Sequence, residues 1–564
     1  MGAYFYIQWD TESCLTLLNK HMALNASGPI SLGGSTAGQS VNLETGASAT
    51  AQVSMNDAAV RVLTNTITGA PVSMPADFWG QTYRPPAGTY LYGPISGGNP
   101  TYQFSPVCHV TDSDGNTYMA GQFTTSLASP YSFPGVIKVN KLGVIVWQKY
   151  YTGFAYEIYV YAQGSGTGLI SAALDASNNF YFTFYPQFVA GRGPGVIKVD
   201  SNGVFQWCTQ LVPPTSPADY GFTNGIQIDS SGNLYAVGLG QVASVTSTYI
   251  AKFNSSGSLV SIVYVPNFTA SAFIADSSAN LYISGYTQQS IYSSTFATGS
   301  VTKLNSSLVT QWTNYYTVTA SGYSGANCLM PTISAMNISA AGDLYCGGAV
   351  NYYRGSGPPY YYGYGATLRV NTSTGAVISA TAQRLSSNYS STTITSITTD
   401  SSNNVYTLAA SNNIDQVVGS QSAGVLLKYP STLASVTYQY RFSQLGYDSS
   451  NGRYLGTFPN KISAVGNYIL ISSWGSTTAS STFGPTIFQF PNNGSYFGAN
   501  RYFYPPATST GYLYPDNPGF STDSTFAATA NSTSYPATAL TTWSSASRSL
   551  SDAALTMTAL TTTY

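Results

Sequence analysis

Two histidines, His21 and His109, and five cysteines, Cys14, Cys108, Cys208, Cys328 and Cys346, are the residues of this 564-residue chain best suited to hold a metal or to act as nucleophile or base. No cysteines form a C-x-x-C pair, and no Cys/His spacing fits a zinc site. With His109 the single histidine after residue 21, a serine–histidine–acid set has little to draw on. Hydrolysis of a glycan calls for two facing carboxyl groups, and the obvious carboxylates between regular segments are few: Glu157, Asp219 and Asp415. Asp112, Asp114 and Asn116 alternate as in a calcium loop, but Gly115 comes one place early and the closing Glu is missing. These residues predict no catalytic residue, no metal and no cofactor, and hence a chain that is not an enzyme. Glycan cleavage stands as an alternative reading.

The composition narrows the partners. Only 7% of residues are charged, the net charge is −1, and there are 47 Tyr and 54 Gly. Without a basic run, neither nucleic-acid binding nor polybasic membrane attachment is expected. No run of 18 apolar residues occurs, so no membrane insertion is expected either. At 43% hydrophobic and 14% aromatic, the chain has ample material for a core. Residues 1–22 lack the pattern of a secretory signal, and Met22 is an alternative start.

What must position these residues is a repeat. Its first half is a tight turn entering a strand: Asp112–Tyr118, Asp175–Tyr181, Asp229–Tyr235, Asp276–Tyr282, Ser339–Tyr345 and Asp400–Tyr406, with a degenerate Val465–Tyr468. The copy at Asp229 reads Asp-Ser-Ser-Gly-Asn, in which the first side chain can accept backbone N–H groups and Gly or Asn tolerates positive φ. The second half is strand, turn, strand, as in Gly135–Asn140 followed by Gly143–Trp147. Later copies centre on Lys198, Lys252, Lys303, Arg369, Lys428 and Gln489. From Lys138 to Gln489 the mean period is about 58 residues, with about four alternating strands per unit and no helical periodicity. The pattern predicts an all-β fold: a seven-bladed β-propeller of four-stranded blades, with a small N-terminal attachment module and a Ser/Thr/Pro-rich C-terminal extension. The boundaries are 1–22 for an N-terminal segment, 23–84 for the module and 85–100 for a linker. The propeller takes 101–505 and the extension 506–564, part of which could complete a blade.

Up-and-down strand order puts the turns between strands 1–2 and 3–4 on one rim. The other connections then lie on the opposite rim, and these are expected to be long and variable. They include 150–168 and 351–365, rich in Tyr and Gly. Tyrosine offers a flat apolar ring with a polar tip and little entropy to lose. Tyr151, Tyr156, Tyr159, Tyr352, Tyr353, Tyr360, Tyr361, Tyr362 and Tyr364 are therefore the expected binding residues.

Two resemblances extend this reading. The D-x-x-G-N-x-Y repeats over about residues 101–500 resemble those of NHL-like and SBBP-type bacterial seven-bladed propellers, which implies the fold and no one function. Ser27–Thr36 (SGPISLGGST) and Gln39–Leu43 (QSVNL), followed by Asn56-Asp57, Val60-Arg61 and Phe78-Trp79-Gly80, resemble an N-terminal segment of tail and other structural proteins of marine bacteriophages. Trp79 stands where that segment has Tyr, and Pro75-Ala76 is inserted before Asp77. Independently, Ser54–Arg61 can form a short capped helix. The resemblance implies a virion protein, on the tail, joined through residues 23–84 to other virion proteins and oligomeric in the particle. The expected role is host recognition, with a surface glycan or protein as ligand. A purely structural capsid or tail decoration is the alternative.

Overall fold

The computed structural model describes residues 31–32, 39–44, 50, 52, 89–94, most of 103–492, and seven short strands between 513 and 562. Two compact units are present: Met1–Gly88 with Gly466–Ile469 and Gln489–Phe497, and Thr89–Val465 with Leu470–Phe488 and Gly498–Tyr564. In the first, the segments at Ser27–Thr36 and Gln39–Leu43 meet. Ser31 bridges Ser40 in parallel, Ser31 N–H donates to the Gln39 carbonyl at 2.8 Å, and one helical turn, Val41–Glu44, follows. The expected helix at Ser54–Arg61 lies outside the described residues, as does most of 23–84.

The second unit is an all-β propeller of antiparallel blades. The described residues form seven five-stranded sheets and one two-stranded ribbon, Leu445–Asp448 with Arg453–Leu455. Six sheets take four consecutive strands each. Sheets 1 to 6 begin at Gln103–Thr111, Ala172–Leu174, Tyr220–Ile228, Phe268–Ala275, Cys328–Ile338 and Thr392–Thr399. Sheet 7 is composite. Thr457–Val465, Tyr468–Ser476 and Phe483–Pro491 come from late in the chain, and the fourth strand is Thr89–Pro94. The stretch 85–100, read from sequence as a linker, thus contains a strand of the propeller.

The four antiparallel strands of each blade are as expected, and each sheet carries a fifth. The extra strand comes each time from the C-terminal extension, which visits sheets 6, 5, 4, 3, 2, 1 and then 7. Its strands are Leu513–Tyr514, Ser521–Thr522, Ala527–Ser532, Thr538–Ala539, Ser544–Arg548, Ser551–Ala554 and Met557–Thr562. All pair antiparallel with the outermost strand.

The core lies between sheets, where alternate side chains of facing strands interdigitate. One cluster joins Tyr118 and Val136 of sheet 1 to Phe180, Phe182 and Ile197 of sheet 2, and another joins Tyr282 of sheet 4 to Leu344 and Leu368 of sheet 5. First strands carry recurrent register shifts, at Pro106/Cys108, Ala270/Ala272, Ile333/Ala335 and Ile394/Ser396. Such bulges add local twist. Polar links run from one first strand to the next beside them. Ile226 N–H donates to Ser171 Oγ at 3.1 Å, Ser334 Oγ donates to the Ile394 carbonyl at 2.6 Å, and Ile462 N–H donates to Ser396 Oγ at 3.2 Å.

Candidate functional site: a committed turn rim, a histidine seam and the opposite rim

The turns fold as their side chains dictate. Asp175 Oδ1 accepts the N–H groups of Ser177 and Asn179, both at 2.9 Å, while Oδ2 accepts Asn179 Nδ2 at 2.8 Å and the Tyr181 hydroxyl at 3.0 Å. Asp229, Asp276 and Asp400 repeat the set. Burial pushes the Asp175 and Asp229 carboxyls up, but these hydrogen bonds outweigh it and hold both below the ordinary carboxylate range. In the calcium-like copy, Asp112 spends its oxygens on Asn116, at 2.8 and 2.9 Å. No group of three His, Cys, Asp or Glu positioned for a metal occurs among the described residues.

The turn between strands 3 and 4 receives the neighbouring sheet. The Ser201 carbonyl of sheet 2 accepts Lys138 Nζ at 3.3 Å and Trp147 Nε1 at 2.9 Å from sheet 1. The Thr372 carbonyl of sheet 5 accepts Lys303 Nζ at 3.0 Å and Trp312 Nε1 at 3.3 Å from sheet 4. Each lysine also lies over the tyrosine opposite it, Lys138 at 4.7 Å from the Tyr118 ring centre and Lys303 at 5.3 Å from that of Tyr282. The repeat markers Tyr, Lys and Trp are thus an inter-sheet latch, and the Lys138 and Lys303 charges are taken up within the protein.

Sheet 5 exchanges these parts, and its link to this turn of sheet 6 is the Tyr345 hydroxyl, which donates to the Ser431 carbonyl at 2.8 Å. Ser339 replaces the turn Asp, Asp343 replaces the Asn, and Arg369 replaces the Lys, giving an Arg369–Asp343 ion pair at 2.8 Å. That hydrogen bond raises the Arg369 guanidinium further. A second exchange concerns packing. The Trp147, Trp207 and Trp312 rings lie against Gly203, Gly257 and Gly375 of the next sheet, all three at positive φ. Ser261 and Ser379 hold the register position of the tryptophans, opposite Lys252 and Arg369. The turns facing them carry Leu308 and Leu433 at positive φ, both buried. Where the next sheet's turn has glycine a tryptophan ring lies against it, and where that turn has leucine a serine holds the tryptophan's register position.

His109 was overlooked by the sequence reading as a partner of specific serines. It is fully buried in the first strand of sheet 1, with Nδ1 2.5 Å from Ser472 Oγ and Nε2 3.0 Å from Ser463 Oγ, both of sheet 7. A neutral imidazole has one donor and one acceptor, so both contacts can be satisfied. Burial, and secondarily the charge of Lys461, push its pKa down to about 3. So weak a base takes a proton from a serine hydroxyl poorly at neutral pH, and the trio is a bond across the seam between the first and last sheets. Burial also pushes the neighbouring Cys108 thiol up to about 12, which keeps it protonated and unreactive.

The expected binding tyrosines fall into three groups. Tyr151 is corrected: it belongs to strand Ile145–Thr152, is fully buried, and its hydroxyl donates to the Gly203 carbonyl at 3.1 Å. Tyr156, Tyr159 and Tyr360 lie outside the described residues. Tyr352, Tyr353, Tyr361 and Tyr362 are strand residues, with Tyr352 opposite Tyr362 and Tyr353 opposite Tyr361, so the supposed loop 351–365 is the end of a hairpin. Tyr364 is half-buried against the core shared by sheets 4 and 5. Nor are all connections on this rim long. Leu281–Ile291 and Ser294–Leu304 run almost into one another, and Asn267 at φ 56° alone joins sheets 3 and 4.

No family model and no curated protein matches the chain. Among solved structures it resembles the polysaccharide lyase Uly1, at 10% identity and a TM-score of 0.35 over 77% of this chain and 96% of that one. It also resembles a polysaccharide lyase described as an ulvan lyase of a new family, at 10% identity and a TM-score of 0.39, covering 72% and 95%. The NanB sialidase from Streptococcus pneumoniae follows the same pattern, at 12% identity and a TM-score of 0.33, covering 72% and 71%. All three are named as enzymes, two polysaccharide lyases and a sialidase, against the expectation that this chain is not an enzyme.

Proposed function

We propose that the chain is a tail-associated bacteriophage virion protein whose seven sheets close as a seven-bladed propeller and present the rim opposite the tight turns to the host surface. Residues 23–84 join it to other virion proteins, and the ligand is a surface glycan or protein. The observation that carries the proposal is the division between the rims. On the turn rim, Lys138, Lys252 and Lys303, with Trp147 and Trp312, bond to carbonyls of neighbouring sheets, and turn carboxylates such as Asp175 are taken up within their own turns. The opposite rim receives the connections that vary most in length and in tyrosine content. Closure is supported by the cycle of first-strand contacts and by the His109 bonds to sheet 7. The virion assignment is supported by the phage-like N-terminal motif, whose two halves meet at the Ser31–Ser40 bridge.

The test is adsorption of purified protein to host cells and to a glycan array, with analysis of any released oligosaccharide. A variant in which 354–360 is replaced by a two-residue turn leaves the paired strands intact. It is expected to fold and to lose retention at least tenfold. Unchanged retention by that variant and by equivalent replacements of the other long connections overturns the reading. Release of oligosaccharide adds turnover to binding at the same rim.

A further inference from the structure

The C-terminal extension pairs with every sheet in an order opposite to that in which the sheets were made. Only two residue pairs form at sheets 6, 5 and 3, as at Arg441↔Tyr514, Gln383↔Thr522 and Val263↔Ala539. Six form at sheet 4, Asn314↔Ser532 through Thr319↔Ala527, and six at sheet 7, Thr89↔Thr562 through Pro94↔Met557. Ladders of two pairs are too short to hold alone. Linked on one chain, each docking raises the effective concentration of the next, and the set acts as one multivalent ligand. No strand of the extension lies between two others in sheets 1 to 6; each is outermost, so it can leave without parting an inner pair. The last strand is different in consequence, because it flanks Thr89–Pro94, the strand that completes sheet 7.

We infer that residues 506–564 are a circumferential strap. It docks after the sheets have formed, covers their outer edges, and sets the rate at which the propeller opens. Two physical needs meet in it. An uncovered outermost strand is a template for pairing with another chain, and a ring completed by an early strand, Thr89–Pro94, opens when that strand is lost. The strap answers the first at seven edges and the second at its own end. The small and β-branched composition of 541–564, almost without charge, suits a segment that must lie flat along several edges in turn.

The experiment compares the full chain with Δ506–564 and Δ557–564. Native-state hydrogen exchange on the full chain reads whether the strap opens apart from the inner strands. Unfolding in guanidinium reads the rate. The strap amides are expected to exchange through a smaller opening than those of the second strands. Δ506–564 is expected to fold with its inner-strand protection, to unfold at least tenfold faster, and to associate through its edges. Added 506–564 peptide is expected to restore the rate. Δ557–564, which bares one edge instead of seven, is expected to show most of the rate increase with far less association. Exchange of strap and inner strands in a single step, an unchanged unfolding rate in Δ506–564, or failure of that variant to fold each overturns the inference.

Discussion

Acid should loosen this protein at one seam before its carboxylates are protonated. His109 is buried between Ser463 and Ser472 with its pKa held down to about 3, against 6.5 when unfolded. Below pH 6.5 the unfolded chain gains a proton that the folded chain refuses, so stability is full above 6.5 and falls as pH drops toward 3. The loss grows to about 1.4 kcal/mol at pH 5.5 and about 3 kcal/mol at pH 4.5, taking roughly 1.4 kcal/mol per pH unit from the same linkage relation. The assay is guanidinium unfolding followed by tryptophan fluorescence between pH 7.5 and 4.5, for the native protein and for His109→Gln. Glutamine keeps one donor and one acceptor but does not titrate. The variant is expected to be less stable at pH 7.5 and to lose less on acidification, so that the two curves converge. His21 and the carboxylates are common to both and cancel. Parallel curves over this range would refute the reasoning.

Two further predictions concern the repeat's exchanged parts. Ser261→Trp should cost about 2 kcal/mol because the new ring meets Leu308, and Leu308→Gly about 2 kcal/mol by leaving a void. The double variant should recover at least half of the combined loss, read as a coupling in a double-mutant cycle; strict additivity would sink the size-complementarity argument. Asp343→Asn should cost about 1 kcal/mol by leaving Arg369 without its carboxylate. Ser339→Asp, Asp343→Asn and Arg369→Lys together, which rebuild the arrangement of sheets 2 to 4, should return near-native stability in the same unfolding assay.

The turns were legible because they are local. Asp175, Ser177 and Asn179 satisfy one another within five residues, so the motif names its own geometry. Tyr151 was misread because aromatic residues followed it into 150–168. Aligning the tryptophans would have corrected this, since Trp147, Trp207 and Trp312 are each followed four residues on by a buried residue: Tyr151, Leu211 and Tyr316. The fifth strands could not be read. Pairs such as Gln383↔Thr522 join distant segments through backbone groups, which any Ser/Thr-rich sequence offers equally. The His109–Ser472 contact escaped for a related reason: 363 residues separate the partners, and neither stands in a local motif.

The place of Thr89–Pro94 bears on tension. This strand leads directly from the N-terminal residues, and it lies between Phe483–Pro491 and Met557–Thr562. Ladder bonds run across the strand direction, so a pull along it loads many at once instead of parting them singly. A propeller held by its N-terminal side while gripping a surface would pass that load into the sheet where the chain's early and late strands lie side by side. Under such a pull the protein's mechanical strength should be set by sheet 7.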